Sequence, residues 1–318
     1  MTVADFVAET VGRYRHDPVK EATKDTALAA YRGVVRRSLD HMIGNVWWQR
    51  SDWDILVIMD ATRVDLAREQ LDVPVRSAWS PASTSIDWIE RHFDEYHQPH
   101  WSNAGYVTAN PFADHDAESA RSADLAVKDL GAFVPVYKNH WQQDPVGTTP
   151  PEYVTEAAVD VWNSEDVDRL IVHYMQPHQP FRSRPEWEHV YSNLENLATE
   201  VNQGGPDIWK RVRDGELRRA DVWAAYADNL HWVWNEIHNH LIPNVNGRVL
   251  ITADHGNGLG EFGSWSHAGG DLNPHVRAVP VMGPFIEAVD VKGTDDSRFA
   301  DTTGENDVEE QLSALGYR

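Results

Sequence analysis

The chain has 318 residues, 41% of them hydrophobic and 10% aromatic, enough to bury the core of one large α/β domain with appendages. Its formal net charge of −22 disfavours binding to nucleic acid and to anionic membranes, and the absence of cysteine excludes disulfides and thiolate chemistry. Arginine outnumbers lysine, and this acidic, lysine-poor composition favours a salt-adapted protein over an ordinary acidic one, because high ionic strength screens self-repulsion.

The beginning of the chain carries acidic residues and lacks the apolar core of a signal peptide, and no run of about 18 apolar residues occurs. We therefore expect a soluble, cytoplasmic protein without a membrane span. Residues 1–50 are predicted to form a helical appendage and residues 51–285 the main α/β domain. Residues 286–318 are predicted to form an acidic loop and a short C-terminal helix.

Short apolar runs alternate with helical segments through the main domain. Strands are predicted over 53–59, 74–79, 105–109, 132–136, 169–175, 248–252 and 276–282, and helices over 63–70, 86–93, 117–129, 151–162 and 217–241. The longest helix has one apolar stripe, made by Trp223, Tyr226, Leu230, Trp234, Ile237 and Leu241. The alternation predicts an α/β fold with a mostly parallel central sheet and helices on both faces. In such a fold, ligands bind beyond the carboxyl ends of the strands.

The first polar candidate lies in the phrase MDATRVD, where Asp60 directly follows a buried strand. Asp is also a common helix N-cap, so this residue alone could have either role. We interpret it as a metal ligand because a second acidic group is expected at the same sheet edge. Arg63, three residues later, either contacts a substrate oxyanion or pairs with Asp65.

A Ser/Thr-rich helix entry follows the next predicted strand, with Ser83, Thr84 and Ser85 in succession. A hydroxyl at a helix N-terminus faces unpaired N–H groups and the positive end of the helix dipole, a setting that binds a tetrahedral anion and favours a nucleophilic alkoxide. Ser and Thr are equally typical of helix caps, so spacing alone does not fix the nucleophile.

The phrase IVHYMQPHQPF places His178 in a loop just after another buried strand. This histidine could donate to a substrate oxygen, protonate a leaving group or ligate a second metal, or it could be structural.

The strongest signal is ITADHGNGLGEFGSWSHAGG, in which Asp254 and His255 directly follow a buried strand. A carboxylate beside an imidazole suits a divalent cation with mixed oxygen and nitrogen ligands. The glycines of this phrase are expected to let the backbone wrap closely around an ion or oxyanion. His267 lies on the far side of the same loop and is expected to reach back to the pocket.

Taken in order, these phrases resemble the sulfatase-like branch of the alkaline phosphatase superfamily. The resemblance runs from about residue 53 to 284, and the phrase YVTANPF and the final LGYR resemble sulfatase-like proteins of salt-loving archaea. It implies that Asp60, Asp254 and His255 bind one divalent cation (Mn, Zn, Mg or Ca). Binding of a second cation by His178 or His267 is left open. It also implies a covalent nucleophile at positions 83–85, for which we rank Thr84 slightly ahead of Ser85 and then Ser83. His178 and His267 would then contact the substrate or the leaving group.

The chain departs from sulfatases in lacking the Cys or Ser that is converted to formylglycine before Pro or Ala and Arg, and in having Ala61 after Asp60. An unmodified hydroxyl favours phosphoryl over sulfuryl transfer. We therefore expect a metal-dependent hydrolase of phosphate or sulfate esters, acting on a small-molecule or glycan substrate. The alternatives are a phosphotransferase that moves a head group to a glycan or alcohol, and a catalytically inactive binding protein with the same fold.

Overall fold

The computed structural model describes residues 52–93, 101, 103–113, 130–142, 144–164, 166–187 and 208–283, together with scattered residues between 10 and 30 that are helical. The remainder of the appendage predicted over 1–50 lies outside the described residues. So do the helix predicted over 117–129 and the whole C-terminal segment predicted over 286–318.

A parallel sheet of five strands forms the centre of the described structure. The described strands are β1 (Ile55–Met59), β2 (Arg76–Trp79), β3 (Ala104–Thr108), β4 (Ala132–Pro135), β5 (Arg169–Tyr174), β6 (Val249–Thr252), β7 (Gly258–Leu259), β8 (Trp265–Ser266) and β9 (Ala278–Val281). The order in the central sheet is β4-β3-β5-β1-β6, and β1 pairs in parallel with β5 and with β6. The strands β2 and β9 form a separate antiparallel pair, and an antiparallel bridge between Ile251 and Met282 links the end of β9 to β6.

Helices pack on both faces of this sheet. The described helices are α1 (Val64–Gln70), α2 (Ser85–His92), α3 (Tyr137–His140), α4 (Pro151–Ser164), α5 (Ile208–Arg213), α6 (Arg219–Glu236) and α7 (Pro274–Arg277). Successive side chains of a strand point to opposite faces. Accordingly, Ile55, Val57 and Met59 of β1 pack with α1, α4 and α6, whereas Leu56 and Ile58 pack with α2, β2 and β9. The α/β class with a mostly parallel sheet covered on both faces is thus confirmed.

The predicted stripe on the long helix is core, as expected. Its members are buried or packed against the cluster that includes α1 and α4. The helix keeps α-helical geometry to Glu236 and then widens into a π-helical turn, Ile237–Leu241, which the apolar spacing does not reveal. In the described part of the chain, no helix has both the length and the apolar character needed to cross a membrane.

Candidate metal centre and nucleophile

Two neighbouring strands deliver the acidic residues of the site. The strands β1 and β6 run in parallel with Ile58 beside Thr252, so both end at the same edge of the sheet. Asp60 follows the last residue of β1, and Asp254 follows β6 by two residues. Because the strands are adjacent, the side chains after them meet in the crevice beyond their carboxyl ends.

Asp60, Asp254 and His255 form a buried cluster whose ligand atoms all lie within 4.8 Å of one another. Oδ1 of Asp60 and Oδ2 of Asp254 are buried and have no hydrogen-bond partner among the described residues. Nδ1 of His255 lies 2.9 Å from the carbonyl oxygen of Gly256, which can only accept, so Nδ1 carries the hydrogen and Nε2 presents its lone pair. Two bare carboxylate oxygens and an imidazole nitrogen therefore converge, and this donor set fits a divalent cation.

The remaining carboxylate oxygens of the cluster are fixed by hydrogen bonds. Oδ1 of Asp254 accepts from the backbone N–H groups of Ala61 (3.0 Å) and His255 (2.8 Å). Oδ2 of Asp60 accepts from Nδ2 of Asn110 at 3.1 Å. Hydrogen bonds to one oxygen thus orient each carboxylate, and the other oxygen faces the centre of the cluster. This is expected for metal ligands whose orientation is set by neighbouring groups.

The electrostatics of the two carboxyls differ. Burial, together with the adjacent charge of Asp254, raises the pKa of Asp60 well above its usual value. Burial opposes the ionisation of Asp254 as well, but the imidazoles of His255 and His173 outweigh it and lower the pKa of Asp254. Two carboxylates held together without a positive charge are mutually destabilising, and a divalent cation between them would remove that penalty.

The structure distinguishes the roles of two adjacent hydroxyls, those of Thr84 and Ser85, which the sequence alone could not distinguish. Thr84 is the N-cap of α2, and its Oγ1 accepts from the backbone N–H of Asp87 at 3.1 Å. Ser85 is the first residue of the helix and is 7% exposed. Its Oγ donates to Oδ2 of Asp60 at 3.0 Å and lies 3.3 Å from Nε2 of His255. The geometry therefore reverses the order in which the sequence ranked Thr84 and Ser85.

Ser83 faces the loop before β9 and not the cluster. Its Oγ donates to the carbonyl oxygen of Ala268 at 2.9 Å and accepts from the N–H of Asp271 at 3.2 Å. This hydroxyl thus fastens the loop that carries His267 to the entry of α2.

The two candidate histidines are brought together as a pair. Nε2 of His178 lies 3.0 Å from Nε2 of His267, and the ring of His267 stacks on that of His255 with centroids 4.3 Å apart. Nδ1 of His178 donates to the carbonyl oxygen of Gln179 at 2.5 Å, so the hydrogen between the two facing nitrogens belongs to His267. Burial lowers the pKa of His178 to about 4, and burial with the neighbouring imidazoles lowers that of His267.

Arg63 does not face the cluster. Its guanidinium donates to both carboxylate oxygens of Asp65 (2.8 and 2.5 Å), to Glu261 (3.1 Å) and to the carbonyl oxygen of Asn257 (2.8 Å). Of the two roles that the sequence left open, the pair with Asp65 is the one the structure contains. Arg63, which is only 2% exposed, thus links the first turn of α1 to the loop after Asp254.

The glycines of the loop that follows Asp254 and His255 allow close packing between backbone segments of the protein. A Cβ on Gly256 would lie 2.3 Å from the carbonyl oxygen of His275, and one on Gly258 would lie 2.7 Å from that of Ser264. Gly260 has φ +104°, which favours glycine. These contacts explain why glycine is needed at positions 256, 258 and 260, and the wrapping of the backbone around an ion stays a prediction.

Sequence reasoning missed the polar residues behind the cluster. Asn110 follows β3 at the same sheet edge, and its position after a buried strand was a signal that could have identified it. His173 lies inside β5, fully buried, with Nδ1 2.9 Å from the hydroxyl of Tyr106 and Nε2 3.8 Å from Oδ2 of Asp254. A histidine within an apolar strand gives no comparable signal.

No protein-family model matches the sequence, and no curated protein sequence matches it either. Similar solved structures include the integral membrane lipooligosaccharide phosphoethanolamine transferase A of Neisseria meningitidis (14% identity, TM-score 0.43), with 71% of this chain and 46% of that one covered. The chain thus spans less than half of that transferase. Others are the C-terminal periplasmic domain of phosphoethanolamine transferase EptC from Campylobacter jejuni (11%, 0.43; 71% and 76% covered) and a candidate sulfatase from Bacteroides fragilis (16%, 0.40; 72% and 67% covered). These three solved structures are thus two phosphoethanolamine transferases and one candidate sulfatase.

Proposed function

We propose that this chain is a metal-dependent phosphoesterase that uses Ser85 as its nucleophile. One observation carries the proposal: Oγ of Ser85 lies 3.0 Å from Asp60 and 3.3 Å from His255, two of the three members of the Asp60–Asp254–His255 cluster. A hydroxyl at the first position of a helix and beside a cation site has the setting of an activated nucleophile.

The cation would be held by Asp60, Asp254 and His255. When bound, it would supply positive charge that lowers the pKa of the Ser85 hydroxyl and neutralises developing charge on phosphoryl oxygens. The two carboxylates carry together the charge that a single divalent ion balances, which supports one such cation. Its identity among Mn, Zn, Mg and Ca stays open.

In the first half-reaction, Oγ of Ser85 attacks phosphorus, a new P–O bond to Ser85 forms and the bond to the leaving alcohol breaks. The hydroxyl hydrogen of Ser85 passes to Oδ2 of Asp60, with which the hydroxyl already forms a hydrogen bond. The leaving oxygen accepts a hydrogen bond from the Nε2–H of His267 as its bond to phosphorus breaks, and it takes its proton from water. The N-terminus of α2 stabilises the phosphoryl oxygens during this step.

In the second half-reaction, a water attacks the phosphorylated Ser85 and gives a hydrogen to Nε2 of His178, which passes it to solvent. The bond between Oγ and phosphorus breaks, and Asp60 returns the hydrogen to Ser85. An alcohol of a glycan or lipid in place of this water would make the same residues a transferase. The first half-reaction is common to both outcomes, so acceptor analysis decides between them.

Phosphate is proposed over sulfate because Ser85 is an unmodified hydroxyl, and the substrate is proposed to be a small-molecule or glycan ester. The cytoplasmic location and the salt adaptation predicted from composition stay predictions, as do the domain boundaries at residues 50 and 285.

The test is turnover of nitrophenyl phosphate, bis(nitrophenyl) phosphate and nitrophenyl sulfate with Mn²⁺, Zn²⁺, Mg²⁺ or Ca²⁺, in low and high salt, with and without an added alcohol acceptor. We expect metal-dependent cleavage of a phosphate ester, and phosphorylation of Ser85 detected by mass spectrometry after rapid acid quench. Absence of stoichiometric metal, together with no turnover of any ester, would instead support a metal-free, inactive binding protein. Transfer to the alcohol in large excess over hydrolysis would support a transferase.

A further inference from the structure

Two polar side chains stand on the buried face of α6, within an otherwise apolar stripe. Tyr226 and Asn229 are both fully buried and lie three residues apart, so they share one face of the helix. Each donates to backbone carbonyls outside α6, and the carbonyls belong to two different segments of the candidate site.

Asn229 contacts the loop on both sides of His178. Its Nδ2 lies 3.2 Å from the carbonyl oxygen of His178, 2.9 Å from that of Pro180 and 3.5 Å from that of Pro177. Its Oδ1 accepts from the backbone N–H of Arg182 at 3.2 Å. One carboxamide thus satisfies several polar groups of the loop, which has no strand or helix of its own to do so.

Tyr226 contacts the segment that follows Asp60. Its hydroxyl donates to the carbonyl oxygen of Ala61 and accepts from Nδ2 of Asn257 at 3.4 Å. Ala61 has φ +60°, a left-handed conformation that is unfavourable for a residue other than glycine. In that conformation its N–H reaches Oδ1 of Asp254. Tyr226 therefore supports the strained residue that orients one proposed metal ligand.

We infer that Tyr226 and Asn229 are positioning residues with separate tasks: Tyr226 sets the metal ligands through Ala61, and Asn229 sets His178 through its loop. The inference rests on the proposed function for what His178 does. It does not rest on that function for the two positions themselves, which can be measured without turnover.

The first experiment compares Asn229→Ala with Asn235→Ala, the same change on the exposed side of the same helix. We expect Asn229→Ala to raise the amide hydrogen-exchange rates of the non-proline residues in the range 177–182 at least about tenfold, because loop carbonyls and the N–H of Arg182 lose their partner. The Kd for Mn²⁺ should stay within about twofold of the wild-type value, since the metal ligands are untouched, and this also reports an intact fold. Where turnover is measurable, kcat should fall about 10–100-fold with little change in KM.

The second experiment compares Tyr226→Phe with Tyr174→Phe. The hydroxyl of Tyr174 is equally buried but bonds Thr155, 2.9 Å away, outside the site. Tyr226→Phe should weaken Mn²⁺ binding about tenfold, as loss of a ligand-orienting neighbour does, whereas Tyr174→Phe should leave the Kd for Mn²⁺ unchanged.

Unchanged exchange at 177–182 in Asn229→Ala, or equal Mn²⁺ affinities in the two tyrosine variants, would overturn the corresponding half of the inference. Loss of thermal stability alone in both variants would show that the two residues only fill the core. A wild-type chain that cleaves no ester but shows the expected exchange and affinity changes would refute the proposed function and leave the positioning inference standing.

Discussion

The hydroxyl of Ser85 donates to Oδ2 of Asp60 at 3.0 Å, while the hydroxyl of Thr84, one residue earlier, folds back onto the N–H of Asp87. The two hydroxyls are thus assigned different tasks by their positions at the helix entry. An N-cap side chain turns toward the first turn of its own helix, whereas the side chain of the next residue is free to point into the crevice.

This difference makes a matched pair of variants informative. Ser85→Ala should abolish turnover, to below about 1% of wild type, because Ser85 supplies the described hydroxyl that contacts both Asp60 and His255. Thr84→Ala should keep turnover within a few-fold and lower the free energy of unfolding by about 1 kcal/mol, the usual effect of losing a Ser or Thr cap. Steady-state kinetics and urea unfolding measure the two effects. The reverse pattern, with Thr84→Ala inactive, would restore the order of ranking that the sequence suggested.

Asp254→Asn should remove metal binding without unfolding the protein. The Asn oxygen can still accept from the N–H groups of Ala61 and His255, and the repulsion between Asp60 and Asp254 disappears. In wild type, a cation at 100 times its Kd should add about 2.7 kcal/mol of stability. We expect this metal-induced rise in Tm to vanish in Asp254→Asn, while the Tm in the presence of EDTA stays equal or increases. A full rise in the variant would show that the ion binds elsewhere.

His178→Ala and His267→Ala should reveal leaving-group dependence. If the pair stabilises the departing oxygen through the Nε2–H of His267, kcat for an alkyl phosphate should fall about 10²–10³-fold. The fall for nitrophenyl phosphate should be much smaller, because nitrophenolate leaves without a proton. A Brønsted plot over a series of phenyl and alkyl phosphates measures this contrast. Equal losses for good and poor leaving groups would assign the pair to substrate binding instead.

The ion cluster around Arg63 predicts the acid sensitivity of the fold. Burial would raise the pKa of Asp65 and of Glu261, but the charge of Arg63 outweighs it, and both pKa values lie below their ordinary ones; the partly exposed His275 also faces Asp65, 3.3 Å away. A carboxyl whose pKa is depressed by folding contributes stability above its unfolded pKa and loses it as the pH falls.

Glu261→Gln should therefore lower stability at pH 7 by about 1 kcal/mol, since Gln keeps part of the hydrogen bonding but loses the charge. Its unfolding free energy should fall less steeply than that of wild type as the pH drops below about 4.5, the ordinary pKa of Glu. Urea unfolding from pH 7 to pH 3 measures both. Glu216→Gln, which removes a more exposed partner 3.5 Å from Arg211, should change stability by less than about 0.5 kcal/mol. Parallel pH profiles for wild type and Glu261→Gln would contradict this role of Arg63.

The strand-end rule predicted the core of the site because it depends only on topology. Asp60 and Asp254 each follow an apolar run, and parallel strands place such residues at one edge whatever the loops do. The bounds of β3, β5 and β6 fall within a residue or so of those predicted. The separate antiparallel pairing of β2 with β9 was not foreseeable, because strand propensity does not encode the partner.

Contacts between distant residues set the limit of what the sequence could predict. Arg63 could bind substrate or Asp65, and Glu261, 198 positions later, completes the buried cluster that holds it. Likewise Asn229 gives no signal in the sequence of the long helix, and its contacts with the His178 loop arise only when α6 packs against α4 and α1. At positions 84 and 85, the residue at which the helix begins decides which hydroxyl points into the crevice. Two adjacent hydroxyl residues in the sequence do not reveal where that is.

The placement of the acidic ligands on two separate strands has a mechanical consequence. Asp60 and Asp254 are 194 positions apart in sequence, yet they flank the seam between β1 and β6, the last strand in the order of the central sheet. A cation bound there would link the ends of β1 and β6, so separation of β6 from β1 would require release of the ion. Chelation should therefore accelerate amide exchange at residues 249–252 more than at residues 104–108 of β3, which lies on the other side of the sheet.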